Sequence, residues 1–163
     1  MRKKQVVVIG SSDETGFNDE ARAIGRFIAD RGYVLITGGR GGIMEAASRG
    51  ASERGGTVIG IVPGDGLDEA NRFCSIVIPT GMGHARNAIN VLAADVIVAI
   101  GGKAGTLSEI AYARIHCKPL ICCLFAGGWS AAFPEAAIDD YQGAPVVTAR
   151  DVEETCRHIE KLA

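Results

Sequence analysis

Short runs rich in valine and isoleucine recur along this chain with helix-length stretches between them, and that alternation limits the fold more than any single residue does. Runs at 5–10, 33–37, 57–62, 75–79, 96–100, 120–124 and 146–147 read as strands. Several are apolar at consecutive positions, as in Val6-Val7-Val8-Ile9. Successive strand residues point to opposite faces, so such a run is buried on both sides, as in parallel sheets covered by helices. Between the runs, Ala21, Ile24 and Ile28 share one helical face ahead of a stop at Gly32. Residues 42–54, 85–94 and 107–116 read as further helices, and Val152, Cys156 and Ile159 form the inner stripe of a last one. The pattern predicts an α/β chain: a Rossmann-like three-layer α/β/α domain spanning 1–163, with a parallel, doubly wound sheet of about seven strands. Within 126–143, Gly127-Gly128-Trp129 opens a loop or short helix, and Trp129 reads as a packing residue.

Charge and composition narrow the partners. Seventeen Lys and Arg against 19 Asp and Glu leave a net charge of -2, which offers no cationic field to gather nucleic acid or anionic lipid. No apolar run approaches the roughly 18 residues that span a bilayer, and the start, Met1 to Gly10, lacks a small-residue cleavage site. Five cysteines without CxxC spacing suggest core thiols rather than a disulfide framework or a zinc site. The expected location is the cytoplasm, with no membrane, nucleic-acid or metal partner.

The 22 glycines, about twice the usual share of roughly 7%, gather after the strands. They stand in Gly10-Ser11-Ser12, in Thr37-Gly38-Gly39-Arg40-Gly41-Gly42-Ile43-Met44, in Gly81-Met82-Gly83-His84-Ala85-Arg86, and in Gly101-Gly102-Lys103-Ala104-Gly105-Thr106-Leu107-Ser108-Glu109. In an open parallel sheet these turns leave from one edge, where close backbone approach and helix N-termini favour a phosphate. The expected ligand is therefore a small phosphate-bearing molecule held by the amides of 38–42 and 101–106. The P-loop pattern G-x-x-x-x-G-K-[ST] is missing, as is a G-x-G-x-x-G after the first strand, which argues against a P-loop NTPase and a dinucleotide dehydrogenase.

The segment from Thr37 to Met44 resembles the GGGxxGxM motif, and Gly101 to Glu109 the PGGxGTxxE motif, of the LOG-like (LONELY GUY) Rossmann proteins, once labelled possible lysine decarboxylases. That family includes phosphoribohydrolases that release a free base from a nucleoside 5′-monophosphate without any cofactor. From about Val6 to Leu124 the chain is also similar to the molybdenum cofactor carrier proteins, whose form of the fourth-strand segment Gly81-Met82-Gly83-His84-Ala85-Arg86-Asn87-Ala88-Ile89-Asn90 resembles. The resemblance implies Arg86 and Glu109 as the functional pair, a nucleotide or molybdopterin-type ligand, and a homo-oligomer, dimer or tetramer. Ile100, Asn87 and Thr37 stand where the hydrolases carry proline, lysine and glycine. Two functions stay open: an N-glycosidase and a non-catalytic carrier. Decarboxylation finds little support, since it needs a pyridoxal phosphate Schiff-base lysine and only Lys103 stands in these loops.

Each candidate also has a structural reading. Thr106 and Glu109 have the T-x-x-E spacing of a capping box, so Glu109 serves either the helix start or the ligand. Arg86 pairs either with an anionic ligand or with Glu109. Arg40 faces phosphate or solvent, Ser11 and Ser12 bind ligand or cap a turn, and His84 plays a local role or donates to the ligand. Asp65, Asp68 and Glu69 read as a solvated loop beside the site, without the EF-hand order.

Overall fold

In the computed structural model, which describes residues 2–135 and 143–163, the described strands form a single seven-stranded sheet in the order β4-β3-β2-β1-β5-β6-β7. They are β1 (Gln5–Gly10), β2 (Val34–Thr37), β3 (Val58–Val62), β4 (Ile76–Pro79), β5 (Val96–Ile100), β6 (Leu120–Cys123) and β7 (Val146–Ala149). Every neighbouring pair is parallel; Val7 registers with Ile36 of β2 and with Ile97 of β5. The expected α/β architecture and strand count therefore hold, and residues 136–142 of the 126–143 stretch lie outside the described residues.

Alternate strand residues feed two cores. Val6, Val8, Val98 and Ile100 pack under α1 (Asn18–Asp30), α2 (Ile43–Glu53) and the last helix, α6 (Val152–Leu162). Val7, Ile9, Ile97 and Ala99 pack on the other face under α3 (Asn87–Leu92) and α4 (Ala104–Ile115), with Phe133 and Trp129 beside them. Trp129 sits in α5 (Gly128–Ala132), and its role is packing. Of the predicted α6 stripe, Ile159 is buried and Cys156 only partly so, with Thr155 taking the inner place.

Part of the glycine excess is packing rather than ligand chemistry. Gly25 of α1 lies against the Ala47 carbonyl and Gly50 of α2 against the Arg22 carbonyl, so a Cβ at either would collide with the facing backbone. These two contacts let α1 and α2 lie close over β1 and β2. The expectation of strands covered on both faces fails at β4. As an edge strand it leaves Ile76 and Ile78 exposed. Among the described residues no helix is long and apolar enough to cross a membrane, and no group of three or more His, Cys, Asp or Glu could hold a metal ion.

Candidate functional site

Strand β1 lies between β2 and β5, so the chain winds outward in one direction through β2, β3 and β4 and in the other through β5, β6 and β7. At such a switch point the loops after the two central strands leave side by side and open a crevice between them. A cavity of about 320 Å³ occupies it, within the roughly 300–1,000 Å³ of small-molecule sites. Its wall comes from Gly10, Ser11, Ser12 and Asp13 after β1, Arg40 and Met44 after β2, His84, Arg86 and Asn87 after β4, and Lys103, Gly105, Thr106 and Glu109 after β5. Turns far apart in sequence thus meet in one place.

Two charged side chains are buried there: Arg86 at 8% exposure and Glu109 at 7%. Nη1 of Arg86 donates 2.8 Å to the Gly38 carbonyl and also to the carbonyl of Ile61. Gly38 is glycine for this reason, since a Cβ would overlap Nη1 of Arg86 and Sδ of Met44. Nε of Arg86 is buried with no partner, an arrangement that costs free energy unless something else accepts from the guanidinium. Burial lowers the Arg86 pKa, the Glu109 carboxylate acts to raise it, and the positive charge of Arg40 lowers it further.

Glu109 projects from the second turn of α4. Its Oε1 accepts a 2.9 Å hydrogen bond from Nδ2 of Asn90, a fully buried residue of α3. Burial pushes the Glu109 carboxyl up to about 7, against the opposing pull of the Asn90 hydrogen bond and then the Arg86 charge. Near neutral pH this group therefore sits between acid and carboxylate, the condition that suits proton transfer. Among the described residues no ion pair forms between Arg86 and Glu109; they act on one another through space, and the simple intramolecular pair is excluded.

The capping-box alternative fails as well. Helix α4 starts at Ala104, earlier than the expected 107, so Thr106 and Glu109 lie within the helix, and Lys103 at the N-cap makes no side-chain cap. A helix start without a capping side chain presents amide donors and a partial positive charge. Here that end meets the cavity at Lys103, Gly105 and Thr106.

The expected amide cradle needs correction. The Gly39 amide donates 3.1 Å to Oγ1 of Thr37, the Gly101 amide 2.8 Å to Oγ of Ser130, and the Gly102 amide 3.1 Å to Oε2 of Glu14. Donors at strand ends must be satisfied when buried, and here side chains do so, Thr37 from the same turn and Ser130 and Glu14 from other parts of the chain. The α4 start and the cations Arg40, Arg86 and Lys103 line the cavity as well. Carboxylates oppose them: Oδ2 of Asp13 lies 2.6 Å from Nζ of Lys103, and the Ser11 hydroxyl also donates to Asp13. These hydrogen bonds, Lys103 first, hold the Asp13 carboxyl down at about 2.

Of the residues expected at the site, Gly10, Ser11, Ser12, Arg40, Arg86, Lys103, Gly105, Thr106 and Glu109 line the cavity. Gly38, Gly39, Gly41, Gly42, Gly101 and Gly102 shape the loops behind it, and Gly83 lines an adjoining cavity. Met82 lines neither and is 51% exposed, because the Gly81 turn leaves from the outer edge strand. Asp13, Glu14, Met44 and Asn90 were not expected. Asn90 follows Arg86 by four residues, one helical turn, and that spacing could have signalled it. Asn87 also lines the cavity, and its Nδ2 donates 2.9 Å to Oγ of Ser108.

A family model described as the SLOG cluster4 family matches residues 3–156. Among solved structures, the molybdenum cofactor binding protein of Rippkaea orientalis superposes with a TM-score of 0.88 at 37% identity, covering 99% of this chain and 98% of that one. The molybdenum cofactor carrier protein of Chlamydomonas reinhardtii does so with a TM-score of 0.82 at 33% identity, again over 99% and 98%. The cytokinin riboside 5′-monophosphate phosphoribohydrolase LOG5 of Arabidopsis thaliana is 30% identical over 152 residues, which are 85% of this chain and 66% of the plant enzyme.

Proposed function

This chain belongs to the SLOG cluster4 family, and from that premise we propose that it binds a phosphate-bearing, nucleotide-like ligand at the switch point and hydrolyses its N-glycosidic bond. The observation that carries the proposal is the buried Glu109 carboxyl, raised to about 7, in one cavity with Arg86 and the uncapped start of α4. The phosphate lies on the amides of 104–106, helped by Arg40 and Lys103. Arg86 also contacts the phosphate. Water attacks the anomeric carbon as its bond to the ring nitrogen breaks, and the base leaves with a proton. The carboxylate of Glu109 stabilises the oxocarbenium-like charge or takes the proton of the attacking water. No cofactor enters this scheme.

A second reading is a non-catalytic carrier of a phosphorylated pterin-type cofactor. Asn87 favours it, because the hydrolase motif has lysine there and the Asn87 amide is engaged by Ser108. The superposition on the two molybdenum cofactor proteins over nearly their whole length supports it too. In either case the protein works in the cytoplasm, as its five free cysteines suit, and as a homo-oligomer. Incubation with a panel of nucleoside 5′-monophosphates separates the two: free base and ribose 5-phosphate support hydrolysis. A silent panel with a ligand-induced rise in melting temperature supports the carrier.

A further inference from the structure

The switch-point cavity does not end at Arg86. A second cavity of about 340 Å³ adjoins it and shares Arg40, His84 and Arg86 as a common wall, its far side being Pro63, Gly64 and Glu69. The far side is rigid where it joins the fourth-strand loop: the amides of Gly81 and Gly83 donate 2.7 and 2.9 Å to the carbonyls of Gly64 and Pro63. Glu69 ends a short 3-10 turn, Leu67–Glu69, and its carboxylate lies directly over the Gly64 Cα, where any Cβ would overlap it. Gly64 adopts no positive φ, so what glycine supplies here is room for that carboxylate. The loop expected only to be solvated thus adds one acceptor-only group to a cavity otherwise edged by arginines and a histidine.

We propose that this second cavity is a ring subsite, and that Glu69 selects a heterocycle bearing the 2-amino-4-oxo edge shared by guanine and pterin. The inference rests on the proposed function, with the phosphate at the start of α4. A ligand with its phosphate there and its sugar or side chain at Glu109 extends its ring past the planar groups of Arg40 and His84, which suit stacking. A carboxylate has two oxygens that only accept, and guanine or pterin presents two adjacent N–H donors, on the ring nitrogen and the exocyclic amine, that match them as a pair. Adenine offers an acceptor at its ring nitrogen and hypoxanthine lacks the exocyclic amine. Each leaves one oxygen of this solvent-facing carboxylate without a donor from the ligand, and a site that hydrogen-bonds its ligand discriminates against analogues that lack the group.

The test is equilibrium binding of GMP, neopterin monophosphate, IMP, AMP and ribose 5-phosphate to the full chain and to Glu69→Gln and Gly64→Ala. GMP, neopterin monophosphate or both bind at least tenfold tighter than IMP and AMP to the unaltered protein, and the tighter of the two identifies a nucleotide or a pterin source. Both variants shrink that preference to threefold or less and leave ribose 5-phosphate affinity unchanged. Gly64→Ala reports independently, since it displaces the carboxylate without removing it. If ribose 5-phosphate binds while AMP matches both GMP and neopterin monophosphate, or if the preference survives in Glu69→Gln, the ring subsite is overturned and the phosphate site stands. If neither ribose 5-phosphate nor any nucleotide or pterin binds, both fall together.

Discussion

Nδ2 of Asn90 donates a 2.9 Å hydrogen bond to Oε1 of Glu109, joining α3 to α4 beside the switch-point cavity. The donor stabilises the ionised carboxyl, yet burial outweighs it and leaves the group at about 7. Oδ1 of the same asparagine is buried with no partner, so the side chain is held from one end only. The pair therefore sets how much carboxylate is present at neutral pH.

Replacing Glu109 by glutamine retains a carbonyl oxygen for Asn90 and removes the charge. Base release by Glu109→Gln falls on the order of 100-fold or more, the usual scale for a lost acid–base group, while binding of the nucleotide changes little. Steady-state rates and binding isotherms measured side by side check this.

Base release by the unaltered protein rises with pH through about 7, because the ionised form of Glu109 is the working one and it accumulates above that value. Stability carries the opposite sign. A carboxyl raised in the fold from its ordinary 4.5 to about 7 binds its proton more tightly folded than unfolded, so its contribution to stability falls as pH climbs from 4.5 to 7 and is constant above. Melting curves of Glu109→Gln against the unaltered protein lack that decline.

Asn90→Leu removes the Asn90 hydrogen bond to the Glu109 carboxyl and leaves a similar volume. The Glu109 pKa moves upward, and the rising limb of the pH profile shifts to more alkaline values by about one unit or less, the scale of a single hydrogen bond. A loss of rate with an unmoved limb would instead mark a packing defect.

Glu14→Ala frees the Gly102 amide, which now donates to the Glu14 carboxylate. Removing one carboxylate and releasing one donor beside the start of α4 strengthens ribose 5-phosphate binding several-fold at low salt, with the gain shrinking as salt is added. Titration calorimetry at two ionic strengths reads both effects.

Much of this was legible in the residues. The boundaries of β1 and β5 follow from consecutive β-branched residues bounded by polar residues and glycine, and the gathering of four loops follows from parallel topology alone. The capping box was misleading because the same T-x-x-E spacing arises inside a helix that starts earlier, and only the turn at Gly101 and Gly102 decides where α4 begins. The amides of Gly101 and Gly102 looked like ligand donors because their acceptors, Ser130 and Glu14, lie far along the chain and are set by tertiary placement, whereas the Gly39 amide is taken locally by Thr37. Edge position, which exposes Ile76 and Ile78, depends on strand order and not on the composition of β4. Asn90 escaped notice because an asparagine in an apolar helix shows its partner only when the neighbouring helix is in place.

The central claim is that the switch-point cavity takes a phosphate through the α4 start and Arg86, and it is tested most directly by comparing a nucleotide with its nucleoside. Titration calorimetry of GMP and guanosine into the unaltered protein and into Arg86→Met should show GMP bound at least tenfold tighter than guanosine, with much of that advantage lost in the variant. Equal affinity for the two ligands, or an advantage untouched by Arg86→Met, would contradict the account.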